Sequence, residues 1–276
     1  MRLGADLTSL CPECRQPEIM TYVPTPHVRR PADPDRPPWS LAAALVVLVL
    51  FMLTMMIIPA IAVSIWAQLK GIAITPSNQE QILANPQANL VGVVATLIVH
   101  GLTLLTAWTV ITGWERRFRD VIDWSWHPRF KLRQAVITVV LLYGVAWVLQ
   151  HFLPSGETAF DKLLQSSQSI RIAVAVLAVV TAPIVEELVY RGVLYPAIQA
   201  RFGRMMAIVV VAGSFAVVHF MQYWGSALIL VSLTLLSFVL TAVRAYTGKL
   251  LPCYVIHLFY NLIGVTLILV GYALIK

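Results

Sequence analysis

The sequence predicts an all-α fold, a polytopic transmembrane helix bundle of about seven to eight spans behind a Pro-rich N-terminal tail. Three observations carry that reading. Of 276 residues, 59% are hydrophobic and only 12% are charged, about half the charged share of an ordinary globular chain, and the mean hydropathy is +0.79. The apolar residues fall in long runs separated by short polar stretches. Cysteine is too scarce to staple a small secreted fold, since Cys11, Cys14 and Cys253 are the only three. In such a chain a net charge of +7 marks topology and not a nucleic-acid partner; the lipid bilayer is the expected partner. Oligomeric state is left open.

Residues 1–40 form the tail. Pro12, Pro17, Pro24, Pro26, Pro31, Pro34, Pro37 and Pro38 exclude regular helix there. No cleavable signal peptide is expected, because the first apolar run begins only at Leu41. Cys11-Pro12-Glu13-Cys14 has the spacing of half a zinc ribbon, with His27 as a third ligand and no good fourth; a reduced pair in a cytosolic tail is the plainer reading.

Residues 41–169 hold the N-terminal membrane helices. The first span is 41–66, bracketed by Trp39 and Trp66 as interface anchors and long enough to tilt or break at Pro59. The second is 90–112, and the third is 134–153 after a strongly basic loop at 114–133. Segment 154–169 reads as a loop with a short amphipathic turn. Residues 170–276 hold the core helices: a span from 170, then 205–223, 226–243 and 252–275. With the N-terminus inside, 16 of the 20 Lys and Arg lie in inner segments, and only Lys70, Lys162, Arg171 and Lys276 lie outside. That asymmetry predicts a multi-pass cell-membrane protein with a cytoplasmic N-terminus and an external C-terminus.

The core helices carry the chemistry. Glu186 and Glu187 stand inside an apolar span, where each carboxylate costs about 2.5–3.5 kcal/mol even on lenient insertion scales. Glu187 and Arg191 are spaced i,i+4 with the acid first, the favourable order for an ion pair. Glu186 points elsewhere around the helix and lacks that cation, so it is the freer carboxylate and the better general base. His219 follows Phe215 by one turn, and His257 and Asn261 share a helix face. Two helices hinged at Phe202-Gly203 bring Glu186 and His219 level, each about 24 Å from the turn. The whole set is expected to share one layer nearer the cytoplasmic face. His100 and His151, taken singly, read as satisfied packing residues. Tyr190, Tyr195, Trp224 and Tyr254 read as packing or interfacial aromatics.

The order Glu186-Glu187-x-x-x-Arg191, Phe215-x-x-x-His219, His257-x-x-x-Asn261 resembles the motif set of the CPBP intramembrane proteases. That group includes the type II CAAX prenyl endopeptidases and the bacterial Abi and bacteriocin-processing proteins. The likeness runs from about residue 174 to 271. It implies a multi-spanning α-helical endopeptidase whose site opens to the cytoplasm and whose partner is a peptide or protein substrate at the membrane. It further implies that Glu186 and His219 activate a water, while His257 and Asn261 stabilise the oxyanion. The family is named as metalloproteases, and Glu186, His219 and His257 would then be the ligands of a Zn²⁺ ion. A metal-free water activated by glutamate is the account preferred here. The rival class is a non-catalytic membrane protein, either a proton-coupled transporter or an immunity or scaffold protein, using the same buried polar groups.

Overall fold

A computed structural model of the chain describes residues 36–220 and 222–274. Cys11, Cys14 and His27, and nearly all of the 1–40 tail, lie outside the described residues. The helices in order are α1 (Leu41–Leu69), α2 (Gln79–Ala84), α3 (Pro86–Thr112), α4 (Phe118–Val121) and α5 (Leu132–Leu149). They continue with α6 (Ala159–Ser166), α7 (Gln168–Phe202), α8 (Arg204–Phe220), α9 (Ala227–Thr247) and α10 (Leu251–Leu274).

Among the described residues, six helices are long and apolar enough to cross a membrane: α1, α3, α5, α7, α9 and α10. The chain is a multi-pass membrane protein. Seven to eight spans were expected, and the fifth of them falls below this length. The fifth predicted span is α8, which has 17 residues and reaches about 25 Å at the α-helical rise, short of a full hydrocarbon core.

Local chemistry explains most boundaries. Ser40 caps α1 by accepting from the Ala43 N–H, and Asn85 caps α3 ahead of Pro86, where proline's fixed φ suits a first helical residue. Gly113 and Gly248 end α3 and α9 in the left-handed conformation that glycine adopts freely. Helix α1 runs through Pro59 without interruption, so the suspected break is absent. The amphipathic turn in 154–169 is a complete helix, α6, closed at its start by a reciprocal Thr158–Asp161 box.

Two larger apolar clusters hold the bundle, beside a small one of Leu164, Ile170 and Val174. One joins α1, α3, α7 and α8 through residues such as Phe51, Ile111, Val193 and Phe215. The other joins α5, α9 and α10 through Val139, Leu236, Leu240 and Ile256. Large side chains such as Val140 and Met56 point outward, as expected of a surface solvated by lipid. Trp39, expected as an interface anchor, is half-buried and donates its indole N–H to the Val193 carbonyl at 3.0 Å. It ties the start of α1 to α7.

Loop pairings define two ends. At the first end the α3–α5 connection meets the α9–α10 turn: Leu250 N–H donates to the Asp123 carbonyl at 3.1 Å, and Lys249 is ion-paired with the Asp123 carboxylate. Burial works against ionisation of Asp123, yet the hydrogen bonds from Lys249 and Ser125 outweigh it and hold this carboxyl below the usual range. At the second end the α5–α6 connection meets the α8–α9 connection. Gly156 N–H donates to the Gly225 carbonyl at 3.0 Å, and Leu228 N–H donates to the Pro154 carbonyl at 3.3 Å.

Candidate active site

Helix α7 is not α-helical throughout. Two stretches, Leu177–Thr181 and Glu187–Leu194, are π-helical. Such turns widen a helix locally and concentrate at functional sites. Each is followed by a proline. In the first, Ala182 N–H donates five residues back to Leu177. Pro183 has no N–H to give the next carbonyl, that of Ala178, and Asn261 Nδ2 donates to it instead at 2.8 Å. In the second, Tyr195 N–H donates to Tyr190. Pro196 cannot serve Arg191, and Arg244 Nε donates to the Arg191 carbonyl at 3.1 Å. The π turns therefore fix where Asn261 and Arg244 dock.

The ion pair read from the i,i+4 spacing is present. Arg191 Nη1 donates to Glu187 Oε1 at 3.0 Å, with both side chains fully buried. The guanidinium also donates to Thr241 Oγ1 at 3.2 Å, to the Ser237 carbonyl at 3.0 Å and to Ser237 Oγ at 2.6 Å. The Phe215 ring lies 5.1 Å from the guanidinium carbon, close enough for a cation–π contact. Ser237 and Thr241, one turn apart on α9, carried no signal in an apolar helix and were not singled out from the sequence.

Glu187 Oε1 also receives His257 Nδ1 at 2.8 Å. The chain Arg191–Glu187–His257 thus sets the ring's orientation, and its other nitrogen, Nε2, lies 3.6 Å from Glu186 Oε2. Glu186 does not share the Arg191 cation, as expected from its position around the helix. Phe215 stacks on His219 at 4.5 Å and meets His257 edge-on at 6.1 Å. His219 Nδ1 lies 2.9 Å from the Phe215 carbonyl. Donating there fixes the tautomer and leaves Nε2 as the acceptor.

These side chains surround one cavity of about 260 Å³, lined by Glu186, Phe215, His219, His257 and Asn261. Two larger grooves, of about 740 and 500 Å³, are lined by apolar side chains and Thr234 and hold no ionisable group. Glu187 and Arg191 are not part of the cavity wall; they lie behind His257. His100 is buried and hydrogen-bonded, as read from the sequence, but it does more than pack. It lines the same cavity and its Nδ1 is 2.8 Å from Thr181 Oγ1. His151 is exposed, in the turn after α5, and bonds back to the Trp147 carbonyl, away from the site. Tyr190 packs edge-on against Phe215, and Tyr254 packs on Trp124. Tyr195 is buried beside Arg244, while Trp224 is exposed and packs on Phe220. Tyr223 and Gln222 join the cavity wall from the α8–α9 connection.

Among the described residues no three His, Cys, Asp or Glu side chains converge as ligands. His257 Nδ1 bonds to Glu187 and His219 Nδ1 to a carbonyl, which leaves Nε2 of each ring as the nitrogen available to a ligand. Glu186, His219 and His257 are neighbours around a cavity, not a preformed Zn²⁺ site, so no step is derived through a metal.

Residues 167–263 match the family model described as type II CAAX prenyl endopeptidase Rce1-like. This segment is an Rce1-like domain. The family is one of hydrolases. The match begins at the residue that caps α7 and ends two residues past Asn261, so it contains every motif residue and excludes α1 to α6. No curated protein and no solved structure matches the chain. His100, Phe160 and Leu163, which complete the cavity around the Rce1-like domain, come from the unmatched part.

Proposed function

We propose that the protein is an intramembrane endopeptidase that hydrolyses peptide bonds of membrane-associated or lipidated peptides, CAAX-type peptides among them. The observation that carries the reading is the polar cavity in which Glu186, His219, His257 and Asn261 meet inside an apolar bundle. Peptide hydrolysis needs a base for water and donors for the tetrahedral oxyanion. In this reading a water lies between Glu186 and His219 Nε2. Glu186 takes its proton as the oxygen attacks the scissile carbonyl carbon. The oxyanion is met by N–H groups of His257 Nε2 and Asn261. His257 stands between two carboxylates, Glu187 on Nδ1 and Glu186 facing Nε2. The intermediate collapses as the C–N bond breaks and the proton on Glu186 passes to the leaving nitrogen. Arg191 and Glu187 are positioning residues that hold His257.

Orientation follows the same charge rule as before, with one change. Arg191 and Arg244 are buried partners within the fold, so they are removed from the count. The described cations still segregate. Arg36, Arg116, Arg117, Arg119, Arg129, Lys131, Arg133, Arg201, Arg204 and Lys249 lie toward the first end; Lys70, Lys162 and Arg171 lie toward the second. The first end is therefore assigned to the cytoplasm, together with the N-terminus. Helix α8 lies between the Gly203 turn and the α8–α9 connection and makes a seventh, short crossing.

Glu186→Gln should lower cleavage of a membrane peptide by about 10²–10⁴-fold or more while the purified variant keeps its thermal unfolding midpoint. Full activity in that variant overturns the reading.

A further inference from the structure

We propose that the groove between the first-end half of α3 and the middle of α7 binds an anionic phospholipid, with an acyl chain in the groove and the phosphate on the arginines of the α3–α5 connection. The groove holds about 500 Å³, inside the range of about 300–1,000 Å³ typical of ligand pockets. It is a concavity in the lipid-facing surface and not a flat face. Leu105 and Trp108 of α3 form one wall, and Ile184 and Leu188 of α7 form the other. Leu105 lies about 10 Å along α3 from its end at Thr112 at the α-helical rise, so the groove runs from the first-end interface into the hydrocarbon. Phe118 and Trp124 line it where it meets the connection. None of these residues lines the polar cavity. The site is separate from that cavity and does not rest on the proteolytic reading.

Aromatic and cationic side chains build the headgroup end. Trp108 and Trp124 are exposed, and Trp114 stands edge-on to Trp108 at 5.0 Å; tryptophan concentrates at the headgroup level of a bilayer. Arg117 and Arg119 are the chain neighbours of the groove residue Phe118. Arg116 folds back over the end of α3, with its Nη1 3.4 Å from where a Cβ would stand on Gly113. All three arginines are exposed and none is ion-paired among the described residues. Glu115 and Asp120 in the same stretch leave the cations in excess. A guanidinium offers phosphate two parallel N–H donors, and basic pockets between membrane helices on the cytoplasmic side suit anionic headgroups. Apolar groove and arginines together call for an occupant that has both a chain and a phosphate. Ile184 and Leu188 flank Glu186 and Glu187 in α7, so the bound chain packs on the turn that carries both glutamates.

The rest of the connection supplies a control of equal charge. Phe118 packs against the α1–α3–α7–α8 cluster, whereas Phe130 packs against the α5–α9–α10 cluster. Arg129, Lys131 and Arg133, exposed beside Phe130, therefore belong to the other side of the bundle.

The test is native mass spectrometry of the delipidated full chain in a neutral detergent, with dioleoyl-phosphatidylglycerol and dioleoyl-phosphatidylcholine added in equal amounts. The expected result is one retained lipid, with phosphatidylglycerol favoured by about tenfold or more. Arg116→Gln/Arg117→Gln/Arg119→Gln should abolish that preference, while Arg129→Gln/Lys131→Gln/Arg133→Gln should keep it. Leu105→Trp retains every cation, fills the groove from an exposed position, and should lose the retained lipid. Equal retention of the two lipids by the wild type overturns the proposal. Equal loss in the two triple variants also overturns it, since the attraction is then diffuse. Undiminished retention in Leu105→Trp places the chain outside the groove and overturns it as well.

Discussion

The two π turns of α7 carry the same backbone defect and resolve it differently. Each ends at a proline that leaves one carbonyl without its N–H, Ala178 before Pro183 and Arg191 before Pro196. At the first, a neutral amide from α10 fills the gap at the edge of the cavity, and Asn261 lines that cavity as well. At the second, a guanidinium from α9 fills it among residues that are buried without exception. A primary amide has two N–H groups, so Asn261 can serve the Ala178 carbonyl with one and the cavity with the other. Arg244 does not line that cavity and acts as a fastener. One defect places a site group, and the other locks the helix behind the site.

Substitutions separate the two. The largest effect is expected on the locked side. Arg191→Met leaves Glu187 as a buried charge without its cation, and should destabilise by about 3–5 kcal/mol, read as a lower unfolding midpoint in detergent. Arg244→Met orphans a buried carbonyl and should cost about 1–3 kcal/mol. Pro196→Ala in that background restores an N–H and should recover part of the loss. No recovery would break the account of the second turn.

At the first turn the stability effect should be smaller and the activity effect larger. Asn261→Leu should cost about 1 kcal/mol, since the cavity lets water reach the Ala178 carbonyl, while cleavage falls by about 10²-fold or more. Combined with Pro183→Ala, the stability cost should shrink by a coupling of about 0.5 kcal/mol or more, with cleavage still lost. If Pro183→Ala restored cleavage to Asn261→Leu, the amide would be a backbone cap alone.

The smallest effect is expected outside both turns. Asp123 has a folded-state pKa held low, so its pairing with Lys249 contributes above the unfolded carboxylate value of 3.8 and is lost as pH falls through the lowered folded value. The pair is exposed at the carboxylate, so the contribution is discounted to a few tenths of a kcal/mol. Lys249→Met should flatten that acid limb of a stability–pH curve and leave both π turns untouched.

This contrast also explains what the sequence could and could not disclose. Glu187 with Arg191, and His257 with Asn261, were legible because charged and polar groups in apolar runs are few and the i,i+4 spacing is a local property. Glu186 was separable from Glu187 for the same reason. Pro183 and Pro196 were visible, but their effect was not. A carbonyl left without its N–H acquires a partner only when another helix arrives, and neither Asn261 nor Arg244 is local to α7. His100 was missed because a lone histidine in a span looks the same whether it faces a packing partner or a cavity. Ser237 and Thr241 were missed because a hydroxyl in an apolar helix satisfies itself on its own backbone, as Thr241 does with the Ser237 carbonyl. Helix α6 was read only as an amphipathic turn, since nothing in 154–169 states what its apolar face covers.

The seam at the second end has a practical meaning for anyone altering the chain. A methyl added at Gly156 would stand 2.9 Å from the Gly225 carbonyl oxygen, and Gly225 has φ +101°, so the two connections cross where only bare backbone fits. Neither can be lengthened by itself without parting the other. An epitope tag or a reporter insertion belongs instead beside Gly71, in the α1–α2 connection, where an added side chain meets nothing within 4 Å.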